Sequence, residues 1–478
     1  MLKSPFLELD QKIEGSVYTD SLHKAIYATD ASVYRVLPQA VCYPKNHEDI
    51  SIVLKWANQN NIPIIPRSAG TSLAGQCVGE GLILDVSKFM NKILEVNPKK
   101  GTAILQPGVV RDSFNAQIKE TGLFFGPNTS TSNRCTIGGM IANNSSGSTS
   151  IQYGCSRDKI LSAKVVLSDG SSALVKKDKI ITDSPRGKEI SIALSALLSD
   201  EDLTLIQEKL PPPQVRRRNS GYALEHLFPP VNSFEKLLAG SEGTLAILTE
   251  IEVQLDPQPP SEACLICPHF HTIEAALNAV KPLMDHELYA CELMDKTILD
   301  CTRENQNFEQ NRFFLDQDPE AVLILELRAK SQDQLSKKIK LLKETIHQSS
   351  LAYSAPIIEK KDMKKVWDLR KAGLGLLANL RGTGKAVACI EDTAVALEDL
   401  SAYIKEFTDI MRGFGQKAVY YAHAGAGELH LRPILDLKTQ EGKKHFRAIS
   451  KEVALLVKKY KGSLSGEHGD GRVRSEFL

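Results

Sequence analysis

Apolar positions recur with two different periods along this chain, and each period predicts one kind of local structure. Ile50, Val53, Leu54 and Ala57 follow the spacing of one helix face, and Asn46 stands where an N-cap is expected. Short β-prone runs bounded by Pro and Gly predict strands instead. Through the N-terminal quarter these patterns predict strands at 62–66 and 82–87, a hairpin at 93–108 and a helix at 111–121.

The pattern changes at residues 122–160, which are rich in Gly, Ser, Asn and Thr with apolar residues interspersed. Such a segment is too long for an ordinary connection, and we predict a functional loop that lies over a ligand. Further on, apolar and polar residues alternate over 245–255, which predicts a strand with one buried face. The PQPP segment at 257–260 then breaks the chain and predicts a domain boundary.

A second unit of mixed structure follows that break. The predicted elements are helices at 271–284, 331–347, 359–380, 397–413 and 438–461, strands at 288–294, 321–328 and 385–392, and a hairpin at 419–433. Strands and helices do not alternate as a regular βαβ series, so the predicted fold class is α+β. We predict three parts, at residues 1–257, 258–430 and 431–478.

Composition narrows the class of partner. The chain has 478 residues, 42% apolar and 24% charged, with a formal net charge of +1. This near-neutral charge gives no electrostatic case for nucleic acid. We find neither a secretory signal nor an apolar run long enough to span a membrane. Nine scattered cysteines suit a reducing compartment. A cytoplasmic location is therefore predicted, with peripheral attachment to a membrane left open.

Three loops of small residues suggest one extended anionic ligand. They occupy residues 64–76, 136–154 and 239–251, each beside a predicted strand. Small residues let backbone N–H groups approach a diphosphate closely. None of the loops has the Gly-Lys-Ser/Thr of a nucleoside-triphosphate loop or the G-x-G-x-x-G of a dinucleotide fingerprint. An adenine dinucleotide wrapped by a whole domain fits this spread, although each loop alone could be a plain turn.

Two histidines and a glutamate suggest a metal site. His423 and His430 flank a Gly-rich turn in YYAHAGAGELHLRP, and Glu467 and His468 follow in SGEHGDG. Two imidazoles and a carboxylate are a common ligand set for a divalent metal. A hairpin would bring the histidines to one side, and His468 would remain free to move protons. The alternatives are separate, unrelated histidines or a purely structural metal site.

Two other motifs are interpreted as structural rather than functional. Cys264 and Cys267 form one C-x-x-C within a strand-like run, which favours core packing over redox chemistry or zinc. The basic run at 216–218 follows three prolines and predicts an exposed turn, with contact to an anionic ligand as the alternative.

Taken together, the motifs resemble a known family of flavoproteins. PRSAGTSLAGQ, TIGGMIANNSSG and GSEGTLAILTE resemble the FAD-binding loops of the vanillyl-alcohol-oxidase type. HAGAGELHLRP, SGEHGDGR and VWDLRKAGLGLL are similar to motifs of its D-2-hydroxy-acid dehydrogenases, above all the large bacterial D-2-hydroxyglutarate dehydrogenases fused to an iron–sulfur module. The resemblance implies a two-subdomain FAD-binding domain, an α+β cap domain and a C-terminal segment that returns to the flavin.

The resemblance also assigns cofactor contacts. It implies non-covalent FAD, because the first loop lacks a histidine, while Cys77 and Cys135 keep covalent attachment open. The residues from Arg67 to Gln76 would hold the diphosphate, the second loop would line the flavin and ribityl chain, and the third would meet the adenosine or the ring. The implied contacts are Pro66, Arg67, Ser68, Ala69, Gly70, Thr71, Ser72, Gly75, Gln76, Pro127, Thr136, Gly138, Gly139, Asn143, Ser146, Gly147, Glu242, Gly243 and Ile247.

The implied chemistry is oxidation of a 2-hydroxy acid. Zn2+ or Mn2+ on His423, His430 and Glu467 would polarise the substrate hydroxyl, and His468 would act as the general base. Arg370 would bind the substrate carboxylate. The second choices for contacts with substrate are Lys385, Arg432, Tyr222 and Asn219.

Several alternatives stay open at this point. The leading prediction is an FAD- and metal-dependent dehydrogenase of D-2-hydroxyglutarate or D-lactate that delivers hydride to flavin N5. The others are an oxidase that uses oxygen and a flavin-binding electron-transfer subunit without its own turnover. Because family members continue beyond the SGEHGDGR motif, we expect this chain to be part of a longer protein. An iron–sulfur electron outlet would then lie beyond residue 478 or on a partner chain.

Overall fold

The computed structural model describes residues 5–197, 200–228, 232–303 and 305–478 and combines short helices with four β-sheets. The strands are β1 (Ser16–Tyr18), β2 (Ala40–Tyr43), β3 (Ile64–Arg67), β4 (Leu82–Asp85), β5 (Ile93–Asn97), β6 (Thr102–Leu105), β7 (Leu123–Phe124), β8 (Ile160–Val166), β9 (Ser172–Lys176), β10 (Lys179–Ile181), β11 (Ile247–Gln254), β12 (Asp256–Pro257), β13 (Glu262–Ile266), β14 (His269–Phe270), β15 (Ala290–Asp295), β16 (Ala321–Ala329), β17 (Ile357–Glu359), β18 (Lys385–Ala386), β19 (Ile390–Ala394), β20 (Ala418–His423) and β21 (Glu428–Leu435).

The helices are mostly short, and 3₁₀ turns connect several of them. The α-helices are α1 (Pro5–Asp10), α2 (Ser21–Ile26), α3 (His47–Gln59), α4 (Arg111–Gln117), α5 (Ile137–Asn143), α6 (Ser150–Tyr153), α7 (Pro185–Ala196), α8 (Asp200–Lys209), α9 (Phe234–Leu238), α10 (Ile273–Leu283), α11 (Lys296–Arg303), α12 (Gln332–Ser349), α13 (Lys360–Leu376), α14 (Leu400–Gly413), α15 (Gln440–Lys459) and α16 (Gly471–Arg474).

Two larger sheets form before the PQPP segment, and the short strands β7 and β12 pair as a third. The first has the order β1-β2-β4-β3, with parallel pairing of β4 to β2 and β3. The second is antiparallel, with the order β10-β9-β8-β11-β6-β5. Helix α3 buries Ile50, Val53 and Leu54 in a core shared with β2 and β4, so the helix predicted from those positions is confirmed. The alternating burial of β11 confirms the predicted half-buried strand.

A nine-stranded antiparallel sheet dominates the remainder of the chain. Its main order is β17-β13-β16-β15-β20-β21-β18, with β14 paired to β16 and β19 paired to β21. Leu323 and Leu325 of β16 enter a core with α10, α12, α14 and α15, whereas Val322 and Ile324 enter a second core with α11 and α13. Because helices cover both faces, the central strand is apolar at nearly every position.

The segment 122–160 is more ordered than its composition suggested. It contains α5 and α6, so the segment predicted as one long functional loop is partly helical. Thr136 caps α5 by accepting a hydrogen bond from the Gly139 N–H, at 3.4 Å. A Cβ on Gly138 would lie 2.4 Å from the Cβ of Pro107, so this small residue lets the helix pack closely. The glycines that suggested a loop therefore allow a helix to pack closely.

The predicted strand at 385–392 is divided in two. β18 and β19 both pair with β21, and the register shifts between Ile390 and Thr393. Asp392, in this bulge, has a φ of +62°, a left-handed conformation that an aspartate tolerates better than most residues. The prediction of one continuous strand is therefore wrong, and the bulge within β19 turns the Asp392 carboxylate toward the C-terminal segment.

The architecture confirms the α+β fold class. The amphipathic helix predicted at 438–461 is present as α15, with Ile449, Val453 and Leu456 buried. Throughout the described ranges, no helix is both long enough and apolar enough to span a bilayer. The three-part division predicted from the sequence stays a prediction.

Leu325→Ala should reduce the free energy of unfolding by about 2–5 kcal/mol, because it opens a cavity beneath a fully buried side chain. Leu341→Ala is the matched control. Leu341 is 55% exposed on α12, and its replacement should change the unfolding free energy by no more than about 0.5 kcal/mol. Urea unfolding of both variants provides the measurement. Equal losses in both would contradict the assignment of β16 to the core.

Candidate functional site

The hairpin of β20 and β21 brings the two predicted ligand histidines together. Tyr421 lies opposite His430, so His423, two residues further along β20, projects from the same face of the sheet. The centroids of the two imidazole rings are 4.9 Å apart. Gly427 closes the turn with a φ of +73°, and a Cβ there would lie 2.2 Å from the Val395 carbonyl oxygen. The hairpin predicted from the sequence is confirmed.

Asp392 holds the C-terminal segment against this hairpin. Its Oδ2 accepts hydrogen bonds from the backbone N–H groups of Gly466, Glu467 and His468, at 3.0, 2.7 and 2.6 Å. The guanidinium of Arg474 pairs with its other oxygen. The left-handed backbone at Asp392 aims the carboxylate at this segment, which is the kind of local constraint found at functional sites.

The four predicted residues converge on one carboxylate oxygen. Glu467 Oε1 lies 3.2 Å from His423 Nε2, 3.7 Å from His430 Nε2 and 3.6 Å from His468 Nε2. One ligand atom each from His423, His430 and Glu467 lie within 4.8 Å of one another, and all three residues are buried. Two imidazole nitrogens and a carboxylate oxygen are suitable donors for Zn2+ or Mn2+. The residues present therefore fit a divalent metal.

A second set of donors shares one histidine with the first. Glu391, His430 and His468 also place one ligand atom each within 4.8 Å of one another. Glu391 Oε1 lies 3.4 Å from His430 Nδ1 and 3.8 Å from His468 Nδ1, so this set uses the opposite ring nitrogen of His430. Among the described residues, neither Nδ1 atom has a hydrogen-bond partner.

Charges shape the protonation of the first set. Burial alone would lower the pKa of His423, but the carboxylates of Glu292 and Glu467 outweigh it and raise that pKa to about 10. Burial would raise the pKa of Glu467, yet His423, Arg217 and His468 hold it well below its usual value. Burial and the two neighbouring histidines keep the pKa of His430 well below its usual value. Without a metal, His423 is thus protonated against Glu467, and His430 is neutral.

Sequence reasoning missed the carboxylates around this set and misread one arginine. Glu292 Oε2 is 2.8 Å from His423 Nδ1, and Glu391 and Glu428 are likewise fully buried beside the histidines. Arg217, predicted to lie in an exposed turn, is 5% exposed and lies 3.3 Å from Glu428 and 3.5 Å from Glu467. The available signal was acidic residues within otherwise apolar strands, because buried carboxylates require partners.

A cavity of about 1060 Å³ joins the histidine set to the Gly-rich loops. Three predicted cofactor contacts, Gly75, Pro127 and Ser146, lie outside its lining. Gly75 packs against Tyr34, the carbonyl of Pro127 accepts from Arg111, and Ser146 donates to Glu467 at 2.9 Å. The predicted residues that line the cavity are Pro66, Arg67, Ser68, Ala69, Gly70, Thr71, Ser72, Gln76, Thr136, Gly138, Gly139, Asn143, Gly147, Glu242, Gly243, Ile247, Arg370, His423, His430, Glu467 and His468.

The three loops are tied to one another and to the C-terminal segment. Gln76 donates to the His468 carbonyl at 2.7 Å, and Asn143 donates to the Glu467 carbonyl at 2.8 Å. Glu242 accepts from the Asp470 N–H at 2.8 Å. A buried oxygen of Gln76 has no hydrogen-bond partner among the described residues. The small residues, this free oxygen and the shared cavity fit an extended dinucleotide that ends beside the histidines.

Arg370 lies at the histidine end of the cavity. Its guanidinium carbon is 3.3 Å from the ring centroid of Tyr421, and Nη2 pairs with Glu292. Burial lowers the pKa of Arg370 to about 10 against the opposing effect of Glu292, so the group stays charged at neutral pH. Its Nε lacks a hydrogen-bond partner in the described part of the chain. This N–H is therefore a buried donor that still lacks an acceptor within that part of the chain.

The second-choice substrate contacts are dispersed. Arg432 lines the cavity but pairs with Glu391, at 2.6 Å between Nη2 and Oε1. Lys385 lies outside the lining and donates to the carbonyls of Ala378 and Leu380. The other two also lie outside it: Asn219 donates to the backbone of the second loop, and Tyr222 is exposed and contacts Thr244.

The cysteines are consistent with their predicted roles. Cys264 and Cys267 are buried in the sheet, which confirms core packing, and burial raises the thiol pKa of Cys264 to about 11. Cys77 and Cys135 line the cavity, and burial raises the pKa of both thiols. A protonated thiol is a poor nucleophile, which favours a non-covalent cofactor.

Two family profiles match the chain. Residues 38–173 match the FAD binding domain, and residues 259–478 match the C-terminal domain of FAD linked oxidases. The first match covers the first two Gly-rich loops, and the second covers the nine-stranded sheet and the whole histidine set.

Curated relatives extend over nearly the whole chain. The D-2-hydroxyglutarate dehydrogenase of Haemophilus influenzae is 32% identical over 98% of this chain and 47% of its own length. The D-lactate dehydrogenase of Archaeoglobus fulgidus is 29% identical over 95% of this chain and 88% of its own length. Glycolate oxidase subunit GlcD of Bacillus subtilis is 27% identical over 95% and 86%. The chain thus spans about half the length of the first of these relatives.

Solved structures share the fold at low sequence identity. 4-Ethylphenol oxidase from Gulosibacter chungangensis aligns with a TM-score of 0.69 and 15% identity, over 97% of this chain and 88% of its own. p-Cresol methylhydroxylase aligns with a TM-score of 0.68 and 16% identity, over 98% and 90%. These likenesses extend over nearly the whole chain and support the predicted vanillyl-alcohol-oxidase type of fold.

In protein without divalent metal, the free energy of unfolding should fall as the pH rises from about 6.5 to about 10. His423 has a raised pKa in the folded protein, so its protonated form stabilises the fold. This contribution to the free energy of unfolding is fully present below the pKa of a free histidine, about 6.5, and is lost as the pH rises through the folded pKa. Urea unfolding at both ends of this range should show a smaller fall for His423→Gln. An equal fall in both proteins would contradict a protonated His423.

Proposed function

This chain belongs to the FAD-linked oxidase family, and on that premise we propose that it oxidises a D-2-hydroxy acid to the 2-oxo acid with FAD and a divalent metal. One observation carries the proposal. The buried residues His423, His430 and Glu467, with half-buried His468 beside them, open into the same cavity as the FAD-binding loops. A metal that polarises the hydroxyl and a base that takes its proton, both beside a flavin, would together support alcohol oxidation.

The first two loops would hold FAD mainly through backbone N–H groups and hydroxyls. Ser68 and Thr136 both line the cavity, and their hydroxyl oxygens are in contact. Bound FAD supplies the acceptor for the hydride that leaves the substrate's hydroxyl-bearing carbon. The hydrogen bonds from Gln76 and Asn143 to the backbone of His468 and Glu467 would set the histidines beside the flavin.

His423, His430 and Glu467 would hold Zn2+ or Mn2+. The ion would polarise the substrate hydroxyl and lower its pKa. His468 would take the hydroxyl proton as the general base, a role worth about 10²–10⁴ in rate. Its imidazole is 19% exposed, and its Nδ1 has no hydrogen-bond partner among the described residues.

Arg370 would bind the substrate carboxylate. Stacking on Tyr421 fixes the plane of the guanidinium, and the buried Nε has no hydrogen-bond partner among the described residues. Charge-assisted bonds between a guanidinium and a carboxylate are strong and directional. Such a bond would fix the orientation of the hydroxyl-bearing carbon relative to the metal.

We favour D-2-hydroxyglutarate as the substrate, with D-lactate and glycolate as alternatives. The D-2-hydroxyglutarate dehydrogenases of Haemophilus influenzae and Pantoea ananatis are 32% and 30% identical to this chain, and each match covers 47% of the relative. An electron acceptor on another module or partner chain would complete the reaction.

Anaerobic addition of the right D-2-hydroxy acid to the FAD- and Zn2+-loaded chain should bleach the flavin's visible absorption. Chelation of the metal should abolish the bleaching, and His468→Ala should slow it by about 10²–10⁴ because the general base is lost. D-2-hydroxyglutarate, D-lactate and glycolate should be compared with the available L-enantiomers in a stopped-flow spectrometer.

His347→Gln is the matched control for His468→Ala. His347 is exposed near the end of α12, away from the cavity, so its replacement should leave the bleaching rate unchanged. Bleaching that survives both chelation and His468→Ala would contradict the proposed roles of metal and base. Rapid reoxidation in air would instead indicate an oxidase.

Arg370→Lys should weaken substrate binding, because an ammonium cannot offer the planar donor pattern of a guanidinium. We expect the half-saturating acid concentration for flavin reduction to rise by at least about tenfold, the equivalent of about 1.4 kcal/mol. Arg412→Lys, on the exposed surface of α14, should leave that concentration unchanged. An unchanged value in Arg370→Lys would remove the arginine from substrate recognition.

A further inference from the structure

Building on the proposed metal site, we infer that Glu292 and Glu391 are positioning residues that orient the two ligand histidines. Each carboxylate lies at the Nδ1 side of one imidazole, and each is held by an arginine. Two chains of contacts result, Arg370–Glu292–His423 and Arg432–Glu391–His430, and each is called a relay below.

The first relay is tightly connected. Glu292 is 1% exposed on β15, and its two carboxylate oxygens lie 3.0 and 2.8 Å from His423 Nδ1. Arg370 donates from Nη2 to the same carboxylate. When Nδ1–H donates to Glu292, the lone pair of His423 Nε2 is free on the opposite side of the ring. That atom lies 3.2 Å from Glu467 Oε1, where the metal is proposed.

The second relay joins the same three residue types, but its carboxylate lies farther from the imidazole. Arg432 donates from two guanidinium nitrogens to Glu391, and this bidentate pair fixes the carboxylate on β19. Glu391 Oε1 lies 3.4 Å from His430 Nδ1, an atom without a hydrogen-bond partner among the described residues. The opposite ring nitrogen, His430 Nε2, faces Glu467 at 3.7 Å. Both histidines therefore present Nε2 to one place and Nδ1 to a buried carboxylate.

A carboxylate behind a ligand histidine has two effects. It fixes the ring and the tautomer, and it makes the coordinating nitrogen a better donor. Glutamine keeps the size of glutamate, but its amide can offer an N–H to Nδ1. The imidazole then carries its hydrogen on Nε2, where the metal needs a lone pair. Loss of such a partner typically costs about 10–100-fold in metal affinity.

Zinc affinity measured by competition with a fluorescent chelator, on the FAD-loaded chain, tests both relays. Glu292→Gln should weaken Zn2+ binding by about 10–100-fold. Glu391→Gln should weaken it in the same direction but less, because its contact with the imidazole is longer. Thermal unfolding of each variant without zinc would separate lost affinity from lost stability.

Glu326→Gln is the matched control. Glu326 is buried on β16, the strand next to β15, and pairs with Arg328, but it contacts neither ligand histidine. Like Glu292, it is buried and pairs with an arginine, but it has no ligand histidine beside it. Its zinc affinity should equal that of the unmodified chain, even if its unfolding temperature falls.

Three outcomes would overturn the inference. Zinc affinity that is unchanged in Glu292→Gln would show that the carboxylate does not position His423. A larger loss in Glu391→Gln than in Glu292→Gln would make Glu391 a direct ligand, in the alternative set with His430 and His468. If the unmodified chain binds no zinc or manganese, the proposed metal site itself fails. That result differs from the first two, in which the unmodified chain binds the ion.

Discussion

The carboxylate of Asp392 is the group on which the rest of the site depends. It accepts three consecutive backbone N–H groups from 466–468 and pairs with Arg474, so it fixes the C-terminal segment to the sheet. Together with the hydrogen bonds of Gln76, Asn143 and Glu242 to the same segment, this anchor places Glu467 and His468 against the histidine hairpin. The left-handed backbone at Asp392 costs some stability locally, and the hydrogen bonds it aligns offset that cost.

Around that anchor, the protein buries several charged side chains of both signs. Desolvation of a buried ion is expensive, and an unpaired one is strongly destabilising. Each buried arginine here accordingly lies against a carboxylate, which favours a site that is rigid before any ligand arrives. The buried groups are Glu292, Glu391, Asp392, Glu428 and Glu467, with Arg217, Arg370, Arg432 and Arg474.

Local elements were largely predictable because their signals are local. The helix at α3, the hairpin of β20 and β21 and the amphipathic α15 all follow from periodicity and turn residues. The prediction failed where tertiary packing overrides composition. The glycines of α5 allow contact with Pro107, and the strand predicted at 385–392 is interrupted at 387–389 and bulges at Asp392. The misreading of Arg217 has the same origin, since its partners are distant in sequence.

The sequence by itself determined the ligand types, the Gly-rich loops and the α+β class, because these depend on residue identity and short-range spacing. It also placed His423 and His430 on one side, since a hairpin register relates them directly. Only the tertiary structure decided which carboxylates lie behind those histidines and which end of the cavity Arg370 occupies. Such pairings join strands far apart in the chain, and no local pattern records which buried charges will meet.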